Sequence, residues 1–200
     1  MIHGNRLGGY AIDPSDFSRH AGFDSLFKVP VTIDVGHHEI HDGDSFHVAV
    51  VDTVMADTET LIVAFKTPSG AKLSHMVFGW SIKAAGHVDL VEGPTWTTNT
   101  GTVIVPRNRL RSGGTSTLTE DKTATPAYTA GGVLLNPTGL AGGTTITLGY
   151  GFASKTAGNQ GSHDTEWVLK AATAYAIVLT ADANSNGGFI ELDWYEHTSA

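Results

Sequence analysis

Apolar residues recur at every second position along most of this chain, in short runs broken by Gly, Pro, Asn and Ser. Over residues 29–35, Val29, Val31, Ile33 and Val35 fall on one face of an extended segment, the period of a strand buried on one side. The same reading predicts strands over 45–51 and 59–66, the second ended by Thr67-Pro-Ser-Gly70. Residues 73–82 and 87–92 look like a hairpin around Ala84-Ala-Gly86. Shorter strands are expected at 101–105, 115–119 and 133–135, and others at 144–152, 166–169, 175–180 and 189–195. In the last, Phe189, Glu191, Asp193 and Tyr195 face opposite to Ile190, Leu192 and Trp194. Only 166–173 could pass for a helix, and it is too short to organise a layer. Strands at this spacing predict an all-β fold, a jelly-roll-like antiparallel β-sandwich.

Residues 1–28 lack either period. Gly4, Gly8, Gly9, Pro14 and Gly22 punctuate them, and Phe17, Phe23, Leu26 and Phe27 are isolated apolar anchors. An extended N-terminal arm docking on a neighbour fits this composition, and so does a segment folded back on its own domain. The expected division is therefore an arm over 1–28 and a β-sandwich body over 29–200. The stretch 111–152, rich in Gly, Thr and Ser, reads as long surface connections.

Composition sharpens the class. The 200 residues include no cysteine, which removes disulfides, thiolate metal sites and a Cys nucleophile. Glycine, at 24 residues, exceeds the usual share of about 7% and suits a fold with many turns. Twelve basic against 20 acidic residues give a net charge of −8, which argues against nucleic acid as a partner. The one basic cluster is Arg107, Arg109 and Arg111, whose alternation would place all three on one face; a solvated face or rim ion pairs explains it best. No apolar run approaches the roughly 18 residues of a membrane span. The start lacks the charged-then-apolar order of a signal peptide, so synthesis in the cytoplasm is expected.

The densest chemistry lies at residues 37–47, His37-His-Glu-Ile-His-Asp-Gly-Asp-Ser-Phe-His47, with four imidazoles and three carboxylates. Its counterpart is the run Glu191-Leu-Asp-Trp-Tyr-Glu-His197. The first run lacks the His-x-His of a cupin, and His38-Glu39-Ile40-His41 is one residue short of the zincin pattern. Asp42-Gly43-Asp44 reads as a turn, so no helix is expected there. The preferred reading is a turn whose histidines hydrogen-bond and pack between strands. A cupin-like metal-dependent enzyme using His37, His41 or His47 is its rival. There is no Gly-x-Ser-x-Gly elbow, and Gly149-Tyr-Gly-Phe and Gly142-Gly143 lack the Lys of a phosphate loop. Glu191 and Asp193 are expected to keep an outward sheet face soluble rather than to work on a glycan. Trp80, Trp96, Trp167 and Trp194 fit core or subunit-interface packing better than a sugar platform.

Four segments, in order, carry a likeness. They are His38-Glu-Ile-His41-Asp-Gly-Asp44-Ser-Phe46; Phe65-Lys-Thr-Pro68 with Leu73-Ser-His75-Met-Val-Phe78; Val88-Asp-Leu-Val-Glu-Gly-Pro94 leading to Pro106-Arg-Asn-Arg109-Leu-Arg; and Trp167-Val-Leu-Lys170 through Tyr175 to Leu192-Asp-Trp-Tyr-Glu-His197. With them the chain resembles the decoration, or cement, proteins that coat tailed-bacteriophage heads. The resemblance implies a β-sandwich, a homotrimer, no enzymatic activity and no cofactor. It also implies a place on the outer capsid surface of the virion, with the major capsid protein as partner. Phe17, Phe23, Phe27, Trp96, Arg107 and Arg109 are the interface candidates. A phage fibre or receptor-binding module that contacts glycan is the alternative.

Overall fold

The computed structural model describes residues 21–23, 30–32, 35–119, 132–152, 156–159 and 165–198. Two antiparallel sheets pack face to face, the sandwich that the alternation predicts. The first sheet centres on β5 (Lys72–Ile82), β14 (Asn186–Thr198) and β3 (Ser45–Met55), in that order. β11 (Ala157–Asn159) and β12 (Trp167–Val168) pair with β5, and β8 (Arg107–Asn108) pairs with β3. The second sheet runs β10 (Thr144–Gly151), β6 (Gly86–Glu92), β13 (Ala174–Ala181) and β4 (Thr60–Lys66). It continues into β9 (Val133–Leu135) and β7 (Thr102–Ile104). A separate two-stranded sheet joins β1 (Ala21–Phe23) to β2 (Pro30–Thr32).

Alternation decides what is buried. Ile190, Leu192 and Trp194 of β14 are at most 1% exposed and meet Phe46, Val48 and Val50 of β3 on the inner face. From the other sheet come Leu61, Val63 and Phe65 of β4 and Ile177 and Leu179 of β13. Phe46 stacks on Trp194, ring centroids 5.7 Å apart. Burying one such side chain contributes about 2–3 kcal/mol. Glu196 also points inward, 1% exposed, with no cation paired to it among the described residues. It accepts from Ser116 Oγ and Thr117 Oγ1, both at 2.6 Å, from the Thr117 amide, and from Trp194 Nε1 at 3.0 Å. That network satisfies a buried carboxylate and straps residues 116–118 onto the sandwich.

The structure corrects several expectations. Residues 29–35 are not one strand: among the described residues pairing covers Pro30–Thr32, and Val35 opens a helix, α1 (Val35–Asp42). Gly43, at φ +80°, ends it. The Gly43 amide donates to the Ile40 carbonyl and the Asp44 amide to the Glu39 carbonyl, a Schellman cap. The Asp-Gly signal read as a turn is therefore this helix's stop signal. Residues 73–82 and 87–92 do not pair as a hairpin; β5 and β6 belong to different sheets. Asn186 clamps the corner between them, its Oδ1 accepting from the Ala84 amide and its Nδ2 donating to the Ala85 carbonyl. A Cβ on Gly86 would stand 2.1 Å from Ile82 Cδ1 and 2.4 Å from the Thr180 carbonyl oxygen, so only glycine makes this corner. Residues 115–119 form no strand beyond one bridge between Thr119 and Lys66, because their polar groups go to Glu196. The stretch 111–152 is more than surface connection, since Leu118, Val133 and Leu134 are buried.

Candidate functional site

The two polar runs at opposite ends of the sequence meet on the outer face of the first sheet. Register places His47 of β3 opposite Asp193 of β14, and Tyr195 of β14 opposite His75 of β5. Phe46, Leu192 and Trp194 fill the interior, so the pleat turns His47, Glu191, Asp193, Tyr195 and His197 to the other side.

At one end of this row, His47 Nδ1 lies 2.9 Å from Asp193 Oδ1 and 3.7 Å from Glu191 Oε1. The Arg109 guanidinium donates to the same Asp193 oxygen. Gly79 lies opposite Glu191, where a Cβ would stand 3.0 Å from Glu191 Oε2 and 3.2 Å from its Cβ. A larger residue there would crowd Glu191 off the sheet. His47, Glu191 and Asp193 bring potential ligand atoms within 4.8 Å of one another and could hold a divalent cation. A cation bound through Asp193 Oδ1 would compete with Arg109, and with that guanidinium seated the group is an ion-pair network on a half-buried surface.

Further along, Tyr195 donates to Glu166 at 3.0 Å, and His75 Nδ1 lies 3.1 Å from the same carboxylate. The His75 ring stacks on Tyr195 at 4.7 Å and tilts against His197 at 4.9 Å. Among the described residues, His75 Nε2 and His197 Nδ1 are buried without a hydrogen-bond partner. Burial and the neighbouring His75 push the His197 pKa below the ordinary imidazole value; Lys72 acts the same way, and Glu166 and Asp44 oppose it. On α1, His38 Nδ1 pairs with Asp42 at 3.2 Å, and Glu39 is buried. Burial raises the Glu39 pKa, His38 and Lys72 lower it, and Asp42 and Asp44 add to the rise. His41 is exposed at the end of α1, His47 lies on β3, and the His37 side chain is outside the described residues.

Two of the three arginines share a face: Arg107, opposite His47, and Arg109 both lie on the outer side of the first sheet, and Arg111 departs from it. Arg107 is exposed in β8, Arg109 bonds Asp193, and Arg111 turns back to the Asn108 carbonyl. Trp96 packs against Ile62, Ala64, Val91, Leu134 and Ala176 on the outer face of the second sheet, its Nε1 buried without a partner. Trp80 and Trp194 are core residues, while Trp167 is 40% exposed. Phe17 and Phe27 lie outside the described residues, and Phe23 ends β1.

Sequence reasoning missed two exposed groups. Val51 and Val54 stand out from β3, and Tyr150 and Phe152 from the end of β10. The signal for the second pair is the alternation Gly149-Tyr-Gly-Phe, which puts the large residues on one side and hydrogen atoms on the other. Comparison with protein-family models, curated proteins and solved structures returned no match.

Proposed function

We propose that this chain is a non-enzymatic virion structural protein, a homotrimeric decoration protein on the outer surface of a bacteriophage capsid. It holds neighbouring copies of the major capsid protein together after the shell expands. The strand order supports the jelly-roll form of this reading. The main strands lie as β3-β14-β5-β11 and β4-β13-β6-β10, with successive strands from β3 to β6 changing sheet each time and the last strand beside the first.

The observation that carries the proposal is the edge of β3. β8 pairs with it only at Phe46 and His47, so among the described residues the outer edge over 48–55 has no neighbouring strand. Val51 is 65% and Val54 73% exposed there. The run holds neither Lys nor Pro, the usual means of blunting such an edge. Asp52 Oδ1 accepts from the Val54 amide at 3.0 Å and closes the far end, which leaves Ala49 to Val51 as the natural acceptor for another chain's strand. A contact repeated over many copies stabilises a shell by binding its assembled state.

Co-sedimentation with expanded capsids tests this reading. Val51→Lys puts a charge on the open edge and is expected to weaken capsid binding about tenfold or more while the melting temperature holds. Undiminished binding would sink the edge assignment. Removal of residues 1–28 is expected to leave a folded body that binds capsids more weakly, and unchanged affinity would remove the arm from the interface. Native mass spectrometry is expected to give a trimer.

A further inference from the structure

The end of β10 inverts the usual strand. Gly149 and Gly151 face inward: a Cβ would stand 2.3 Å from Trp80 Cζ2 at the first and 2.9 Å from Ile82 Cγ2 at the second. The large residues of this segment face solvent, with Tyr150 53% and Phe152 77% exposed. Their rings lie 5.9 Å apart with 16° between planes. Directly opposite Tyr150 on β6 is His87, its ring centroid 5.4 Å away. His87 Nδ1 bonds Asp182 Oδ2 at 3.1 Å, and its Nε2 lies 3.9 Å from Asp89 Oδ2. Among the described residues, no Lys or Arg pairs with either carboxylate.

We propose that this strip is a carbohydrate site that takes pyranose rings of an uncharged polysaccharide, a role beyond capsid attachment. Two adjacent features select the ligand. The Phe152 and Tyr150 rings offer apolar faces, which suit the C–H face of a sugar ring. His87 and Asp182 offer fixed hydrogen-bonding groups beside them, which suit its hydroxyls. An apolar side chain laid over the strip would cover Asp182 without giving it a donor, which costs free energy. An acidic polymer would meet two carboxylates. A ligand with one apolar face and many hydroxyl donors satisfies both halves of the strip, and the inward glycines keep the rings out of the core where they could not be reached.

Affinity gel electrophoresis of the full chain through dextran, mannan and hydroxyethylcellulose, with a glycan array of neutral hexose and N-acetylhexosamine oligosaccharides, tests the site. Retardation by at least one neutral glycan is expected, with little by alginate. The double variant Tyr150→Ala, Phe152→Ala is expected to lose about tenfold or more in affinity at an unchanged melting temperature. Asp182→Asn is expected to lose a smaller factor. Free migration through every gel together with a blank array overturns the proposal, as does binding that survives the double variant. Loss of capsid co-sedimentation in that variant, with no glycan bound, would make the strip a capsid contact instead.

Discussion

On the outside of the first sheet, Glu191, Asp193, Tyr195 and His197 stand in a row beside His47 and His75, with Asp193 bonded to His47 and Tyr195 to Glu166. On the outside of the second sheet, Ile62, Ala64, Val91, Leu134 and Ala176 are buried beneath Trp96 and Leu140. The loops that bring this roof are tied by paired bonds between Thr95 and Ala141 and by one from the Thr97 amide to the Thr138 carbonyl. One outer face is polar and stays partly open to water around His47, Glu191 and Asp193. The other is removed from water by the chain itself. The difference predicts where stability resides: apolar burial gives the second face a large share, and screened ion pairs give the first a small one.

The sharpest way to break this contrast is to lift the roof. Trp96→Ala is expected to cost about 2 kcal/mol, below the full range for a buried Trp because Trp96 is only half-buried. Urea denaturation should show it as a lower midpoint at an unchanged slope. Asp193→Asn on the opposite face removes the partner of both His47 and Arg109, yet is expected to cost about 1 kcal/mol or less, because all three side chains are partly exposed. A loss at Asp193 that exceeds the loss at Trp96 would reverse the comparison.

The smallest effect is expected in pH dependence. His197 has a folded pKa below its ordinary value, so between the two the unfolded chain binds more protons than the folded one. Stability is unaffected by this group above the ordinary imidazole range and falls as pH drops through it. Melting temperatures at pH 7.5 and 5.5 should therefore differ less in His197→Asn than in the parent, and an equal difference would remove His197 from the account. Glu39 acts with the opposite sign. Its raised pKa makes the folded state bind more protons, so its contribution weakens as pH rises through the carboxylate range. Glu39→Gln is accordingly expected to be neutral or mildly stabilising at pH 7.

How far these features can be read from sequence depends on whether the signal is local. The two sides of β14 were legible because a period of two needs no partner to be seen, and Ile190, Leu192 and Trp194 are buried as that period requires. Pairing was not legible. A three-residue link after Ile82 looks alike whether the next strand returns beside β5 or crosses to the other sheet; Asn186, about a hundred residues away, makes the choice. The helix before β3 was hidden because Gly43 serves a Schellman cap and a tight turn equally well. The groups that meet His47 come from the other end of the sequence rather than from its own run, which no local pattern shows. Trp96 was expected in core or subunit-interface packing, and its place in a loop over the second sheet depends on contacts no local pattern contains.

β14 lies between β3 and β5, so the centre of the first sheet is the last of its strands to be synthesised. While the chain emerges, β3 and β5 have no central strand to join them, and the inner face of the second sheet lacks its cover. Long-range closure of this kind sets slow folding, on the order of milliseconds to seconds. Until residues 186–198 arrive, the nascent protein offers exposed apolar strands to any neighbour, including other copies of itself. Cutting a few residues from this strand should therefore damage soluble yield far more than cutting as many from the N-terminal end.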